Sequence, residues 1–186
     1  MHGRSAVSQS ALAALPRKQS VTTLASALAL NSAQPLVFMR FQPAWTYING
    51  VREFVSFFCE TTFGRQEVAD RAQVIIQETL ENAVKYSDTS ARSELELEIR
   101  AEDGKIEFSV TSLPDPAHVE SLKAELTGLN AQEPEQAYMS AFLRASNEPE
   151  ASARLGLARI RYEGGVELSL QEQAAGRIRL TAIGTL

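Results

Sequence analysis

Gln77-Glu78-Thr79-Leu80-Glu81-Asn82-Ala83-Val84-Lys85-Tyr86-Ser87 stands at the centre of the stretch, residues 69–87, from which the rest of the chain is read. It has no Pro or Gly and is rich in Ala, Leu, Ile, Gln, Glu and Arg, so it is predicted to be one long helix. At about 100° per residue, Ala69, Ala72, Ile76, Leu80 and Ala83 share a face and form a core stripe. Glu78, Asn82 and Lys85, spaced i, i+4, i+7, stack on roughly the opposite face. Val74 and Ile75 flank that polar row, which is unusual for a solvated face. The helix is therefore expected to be covered on both sides, by sheet beneath and by a polar ligand above. A carboxylate one turn before a carboxamide suits a hydrated divalent ion and the phosphates it carries. Asn gives Mg²⁺ an uncharged oxygen, and Glu accepts a proton from an attacking hydroxyl or water. The plainer reading is a solvated face with a Glu81–Lys85 pair, worth only a few tenths of a kcal/mol.

Upstream, Leu36-Val37-Phe38-Met39-Arg40-Phe41 reads as a strand closed by Pro43. Residues 44–63 read as an apolar helix through Trp45, Ile48, Val51, Phe54, Val55 and Phe58, ended by Gly64 as a C′ glycine. Downstream, Asp88-Thr89-Ser90 breaks the helical pattern, and Leu95, Leu97 and Ile99 alternate with charged residues as in a half-buried strand. Glu102-Asp103-Gly104-Lys105 is a hairpin turn, with Ile106, Phe108 and Val110 alternating in the return strand. Pro114-Asp115-Pro116 opens a helical stretch through Val119, Leu122 and Leu126, with Asp115 placed to cap it. A second helix follows Pro134, and a third covers residues 152–162. Gly164-Gly165 turns the chain into a strand over 166–171, and Ala174-Ala175-Gly176 makes a hairpin into the alternation of Ile178, Leu180 and Ala182. The sum is an α+β two-layer sandwich, with a mixed, mostly antiparallel sheet and helices on one face. Residues 1–34, rich in Ala, Ser and Gln, are read as a tail or a short helix over 24–30 that packs on the domain or on a second subunit. Residues 35–186 are read as one domain.

The string from Glu78 to Ser87 resembles the asparagine box of the GHKL (histidine-kinase-like) ATPase superfamily. Arg154-Leu155-Gly156-Leu157-Ala158-Arg159-Ile160 is similar to the second glycine box of that superfamily. The resemblance covers about residues 36–183 and is greatest to the small bacterial anti-sigma serine kinases and SiaB-type kinase-like regulators. It implies the Bergerat-type sandwich, ATP and Mg²⁺ as cofactors, Glu78 as catalytic base and Asn82 as metal ligand. It also implies that Lys85, Arg154, Gly156 and Leu157 lie against the phosphates, where a helix N-terminus favours an anion and Arg159 could add a charge-assisted bond. The residues themselves allow a second reading, with Gly156 as a packing glycine between core leucines.

One departure is plain. Where the superfamily carries Asp-x-Gly-x-Gly for adenine, this chain has Thr111-Ser112-Leu113-Pro114-Asp115-Pro116 and no glycine. Thr111, Ser112 and Asp115 are the candidate replacements. The functional expectation is a bacterial signalling regulator with an ATP-binding domain, acting as a serine/threonine kinase of a partner-switching system. The alternative is a nucleotide-free pseudo-kinase that sequesters its partner. That partner would be a small regulatory protein, either an anti-sigma antagonist or a sigma factor, and a homodimer is also allowed.

Composition narrows the field further. At 186 residues the chain suits one domain with a real core, and 44% hydrophobic with 22% charged residues is ordinary for a globular protein. A net charge of −5 provides no basic footprint for nucleic acid or an anionic membrane. The single Cys59 cannot form an intrachain disulfide, and His2 and His118 are too few for a Cys/His metal site. No apolar run reaches the ~18–20 residues of a membrane span, and Pro16-Arg17-Lys18 interrupts any leader-like stretch, so the cytoplasm is the expected location.

Overall fold

The computed structural model describes residues 34–88, 93–147 and 152–186; the expectation for residues 1–33 lies outside them. Strand β1 (Val37–Phe41) leads into helix α1 (Trp45–Phe63) and then α2 (Gln66–Lys85), which contains the box string. Strands β2 (Leu95–Glu102) and β3 (Lys105–Ser112) follow as a hairpin. Asp103 at φ 50° and Gly104 at φ 74° make the tight turn, the left-handed pair that matches strand twist. Helices α3 (Pro116–Asn130), α4 (Pro134–Asn147) and α5 (Ser152–Glu163) precede the last hairpin, β4 (Glu167–Glu172) and β5 (Ile178–Thr185).

The sheet order is β1-β2-β3-β5-β4, and all four pairings are antiparallel. The α+β sandwich expected from sequence stands, with a sheet that is antiparallel throughout rather than mixed. The register explains the layering. Met39, Leu97, Val110, Leu180 and Leu170 form one cross-strand row, and Val37, Ile99, Phe108, Ala182 and Leu168 form the next. These rows meet the stripe of α2, where Ala69, Ala72, Ile76 and Leu80 are fully buried and Ala83 is half-buried. Period two on the strands and period 3.6 on the helix thus bury one continuous core. Gly64 closes α1 in the left-handed conformation, its N–H donating to the Glu60 carbonyl at 2.8 Å. Alongside α2, α1 is tied by Gln73 donating to the Ser56 hydroxyl at 2.8 Å.

The other face of the sheet carries a charge lattice. Arg179 grips Glu98 through two bonds of 3.1 Å and reaches the Ser109 hydroxyl at 2.8 Å. Arg100 meets the same carboxylate at 2.8 Å, while Arg40 and Arg177 flank Glu96. The Arg179 guanidinium, and more weakly Arg100, hold the Glu98 carboxyl below the usual carboxylate range against the opposing effect of burial. A depressed carboxylate contributes stability above its unfolded pKa and loses it as pH falls through the folded one. Urea midpoints taken from pH 7 down to pH 3 are expected to fall, and Glu98→Gln should make that fall shallower.

Candidate functional site

The C-terminal half of α2 looks onto a cavity of about 390 Å³, within the range of small-ligand sites. Thr79, Asn82, Ala83, Lys85 and Tyr86 form its α2 wall. Val110, Ser112, Ile178 and Leu180 supply the sheet wall, and α3 closes the far side through His118, Ser121, Leu122 and Glu125. Leu157 of α5 completes the lining. Most of that surface is apolar, and the polar groups are concentrated at the α2 and α3 walls.

Asn82 is the residue of most consequence here. Its side-chain amide nitrogen is buried and has no hydrogen-bond partner. A buried donor left unpaired costs about 1–3 kcal/mol, and this nitrogen lies on the α5 side of the residue, near Gly156. Ser112 lies on the opposite wall and is buried. Tyr86 and His118 pack ring to ring at 4.9 Å across the α2–α3 junction, and the Lys85 ammonium sits 5.3 Å from the Tyr86 ring. No described ion pair joins Glu81 to Lys85; Glu81 instead accepts from Gln77 at 3.0 Å.

Glu78 lies one turn before Asn82 but outside the lining of the cavity. Its carboxylate accepts from Arg159 at 3.0 Å, and Arg159 also donates to Glu163 at 2.9 Å. Burial raises the Glu78 pKa; Arg159 opposes the rise, and the Glu81 and Glu163 charges add to it. The cover above Glu78 is α5 itself. An ideal Cβ on Gly156 would stand 2.7 Å from the Glu78 carboxylate oxygen and 3.6 Å from the Asn82 amide nitrogen. Gly156 is needed where two helices touch.

This differs from the geometry the resemblance implied. Gly156 lies a full turn inside α5, past the first four N–H groups that a helix leaves free for an anion. Leu157 is buried at the same helix contact and reaches the cavity edge, and the side chain of Arg154 lies outside what the structure describes. Thr111 alternates with Val110 and Ser112, so it faces the charge lattice, in register with Glu96 and Arg179, and does not reach the cavity. Asp115 caps α3, its carboxylate accepting from the Ala117 N–H at 2.9 Å. The loop before it is fixed to the end of α2: Asp115 N–H donates to the Tyr86 carbonyl at 2.8 Å and Asp88 N–H to Leu113 at 3.0 Å. The segment 113–115 is thus a paired strut. Of the residues singled out in the sequence, Asn82, Ser112, Lys85 and Leu157 line this cavity; Tyr86 and His118 line it too without having been singled out, and the Arg159–Glu78 pair had no signal in the spacing. A His two residues after a proline at N1 was the available signal for His118.

Among the described residues, no cluster of three or more His, Cys, Asp or Glu side chains is placed to hold a metal ion. For Mg²⁺ and ATP, Asn82 fits as an uncharged oxygen donor at a cavity of suitable size. Glu78, neutralised by Arg159, does not fit as a base in this arrangement.

The fold and cavity define a class: a two-layer α+β sandwich with a cavity between one central helix, an antiparallel sheet and a covering helix. No family model matches the chain, and no curated protein matches it. Among solved structures it is similar to a chain of the SiaB–SiaC complex from Pseudomonas aeruginosa. The TM-score is 0.64 at 14% identity, over 88% of this chain and 98% of that one. At that identity the likeness establishes the shared fold. No described helix is long and apolar enough to cross a membrane.

Proposed function

We propose that the chain is a signalling regulator of the partner-switching kind, with a histidine-kinase-like domain that takes Mg–ATP in the Asn82 cavity and holds a small regulatory protein. The observation that supports the reading is the position of Asn82, with its uncharged amide oxygen, on the α2 wall of a cavity of about 390 Å³. The likeness in fold to a chain of the SiaB–SiaC complex supports the same choice of class. Asn82 would hold the metal, while Lys85 at the rim would face phosphate charge. A bound metal would neutralise phosphate oxygens; the chain's own part is to position the nucleotide and exclude water.

Transfer to a serine or threonine needs a free carboxylate, and Glu78 becomes free only when Arg159 leaves it. The second reading, a nucleotide-free binding module, is favoured by that ion pair and by the Asp115 strut in place of the glycine box. Incubating the chain with labelled ATP and a candidate small partner separates the two. Label on a hydroxyl of the partner, lost with Glu78→Ala, supports the kinase. A stable complex without label supports the binding module, and neither complex nor label would overturn both.

A further inference from the structure

Strand β1 is a sheet edge that nothing among the described residues pairs with. The sheet has two edges, β1 and β4, and they are finished differently. Helix α3 guards β4: Asn130 donates to the Leu168 carbonyl at 3.1 Å, and Lys123 pairs with Glu172. β1 has none of the features that usually blunt an edge. Val37–Phe41 contains no Pro, Gly or inward-pointing charge, and its one charge, Arg40, is held on the outer face by Glu96 at 2.9 Å. Beside this edge, helix α1 presents a second uncovered surface. At about 100° per residue, Tyr47, Gly50, Phe54, Phe57 and Phe58 occupy an arc of roughly 100° with no charged residue in it. Phe57 is 66% exposed, Tyr47 51% and Phe54 44%. Arg52 and Ser56, which bond α2, lie on the opposite side of α1, and α2 itself lies over β3. The arc therefore faces out past β1. There the Tyr47 ring meets the Phe41 ring at 6.2 Å, which joins edge and arc into one surface.

We propose that a second copy of this chain docks on that surface, β1 against β1 in antiparallel register about a two-fold axis at Met39, with α1 against α1. A strand edge selects a strand as its occupant, and the sequence of β1 fits its own reverse. Centred on Met39, all five residues pair, with Val37 opposite Phe41 and Met39 opposite itself on the core face. On the outer face Phe38 falls opposite Arg40. That cation–π pairing is already made within the strand, where the Arg40 guanidinium lies 5.7 Å from the Phe38 ring centre. A register centred on Arg40 would instead set two like charges opposite each other. The same axis carries the uncharged arc of one α1 onto that of the other. Gly50 suits this contact. Inside a helix a glycine costs about 1 kcal/mol relative to alanine, yet a Cβ there would meet nothing in its own chain. The open space admits the neighbouring helix, so one symmetry operation covers both the edge and the arc.

The test is sedimentation velocity of the full chain over a wide range of concentration. The expected result is a monomer–dimer equilibrium, weakened about tenfold or more by Gly50→Arg. That variant fills open space and improves helix propensity, so its Tm should match or exceed that of wild type, which separates loss of the dimer from misfolding. Oxidative cross-linking reads the register. Opposite residues of an antiparallel pair have Cα atoms about 4.5–5.5 Å apart, within disulfide reach. A mixture of Phe38→Cys and Arg40→Cys chains should cross-link, and neither chain alone should, because residue 38 faces residue 40 and not itself. Cys59, the native thiol, stays silent because it is buried and its pKa is pushed up to about 12. A monomer at every concentration, a dimer unmoved by Gly50→Arg, or a mixture that cross-links no better than its single chains overturns the proposal.

Discussion

Gly164→Ala is expected to cost about 3 kcal/mol, the upper part of the range for overpacking, and to lower Tm by roughly 6–12 °C. An ideal Cβ there would sit 2.3 Å from the Ile160 backbone carbonyl oxygen and 2.9 Å from the Ile75 side chain. Neither neighbour yields cheaply, because the first is helix backbone and the second is a buried residue of α2. Two other glycines separate this effect from generic glycine replacement. Gly64 has open space around its Cα but a φ of 66°, so Gly64→Ala should cost about 1–2 kcal/mol through strain alone. At Gly156 the nearest atom is the end of the movable Glu78 side chain, so an added methyl should displace that carboxylate more than it unfolds the protein. Thermal melts of the three variants give the ranking Gly164 first. A Gly164→Ala chain as stable as wild type would mean that α5 does not approach α2 as described.

Arg159→Ala is expected to destabilise the chain by about 1–2 kcal/mol at neutral pH, less than the ~3–5 kcal/mol of a fully buried pair. The discount reflects Arg159, whose side chain is 39% exposed and therefore partly screened, while that of Glu78 is 15% exposed. The pH dependence identifies the cause. Burial already raises the Glu78 pKa, and removing Arg159 takes away the interactions that lower it, so the pKa rises further. A raised carboxyl contributes stability that is full at low pH and is lost as pH rises through the folded pKa. The damage should therefore shrink as pH falls through the Glu78 titration, and Arg159→Ala with Glu78→Gln should recover most of it. Equal damage at all pH values, with no recovery in the double variant, would point to lost packing of the Arg159 stem.

The parts of this architecture that are legible in sequence are the locally encoded ones. The stripe through Ala69, Ala72, Ile76 and Leu80 is periodic, Asp103-Gly104 is a turn by chemistry, and Asp115 before Pro116 is a cap by chemistry. The placement of β5 between β3 and β4 is not legible, because alternation in Ile178, Leu180 and Ala182 defines a face and no neighbour. The site divides the same way. Spacing on α2 puts Glu78 and Asn82 on one face, yet what covers each comes from far along the chain. Arg159 meets Glu78 across 81 positions of sequence, and α3 roofs Asn82 because the Pro114 loop pairs with Ser87. Arg159 reads from sequence as a phosphate ligand because its charge is visible there and its partner is not.

Asn82 must face a space that accepts a nucleotide if the proposed function is right. Thermal unfolding of the full chain with millimolar Mg–ATP tests this most directly. At a hundredfold excess over Kd the ligand stabilises by about 2.7 kcal/mol, raising Tm by roughly 5–10 °C in wild type and not in Asn82→Ala. No rise in wild type with the fold intact, or an equal rise in both chains, would contradict it.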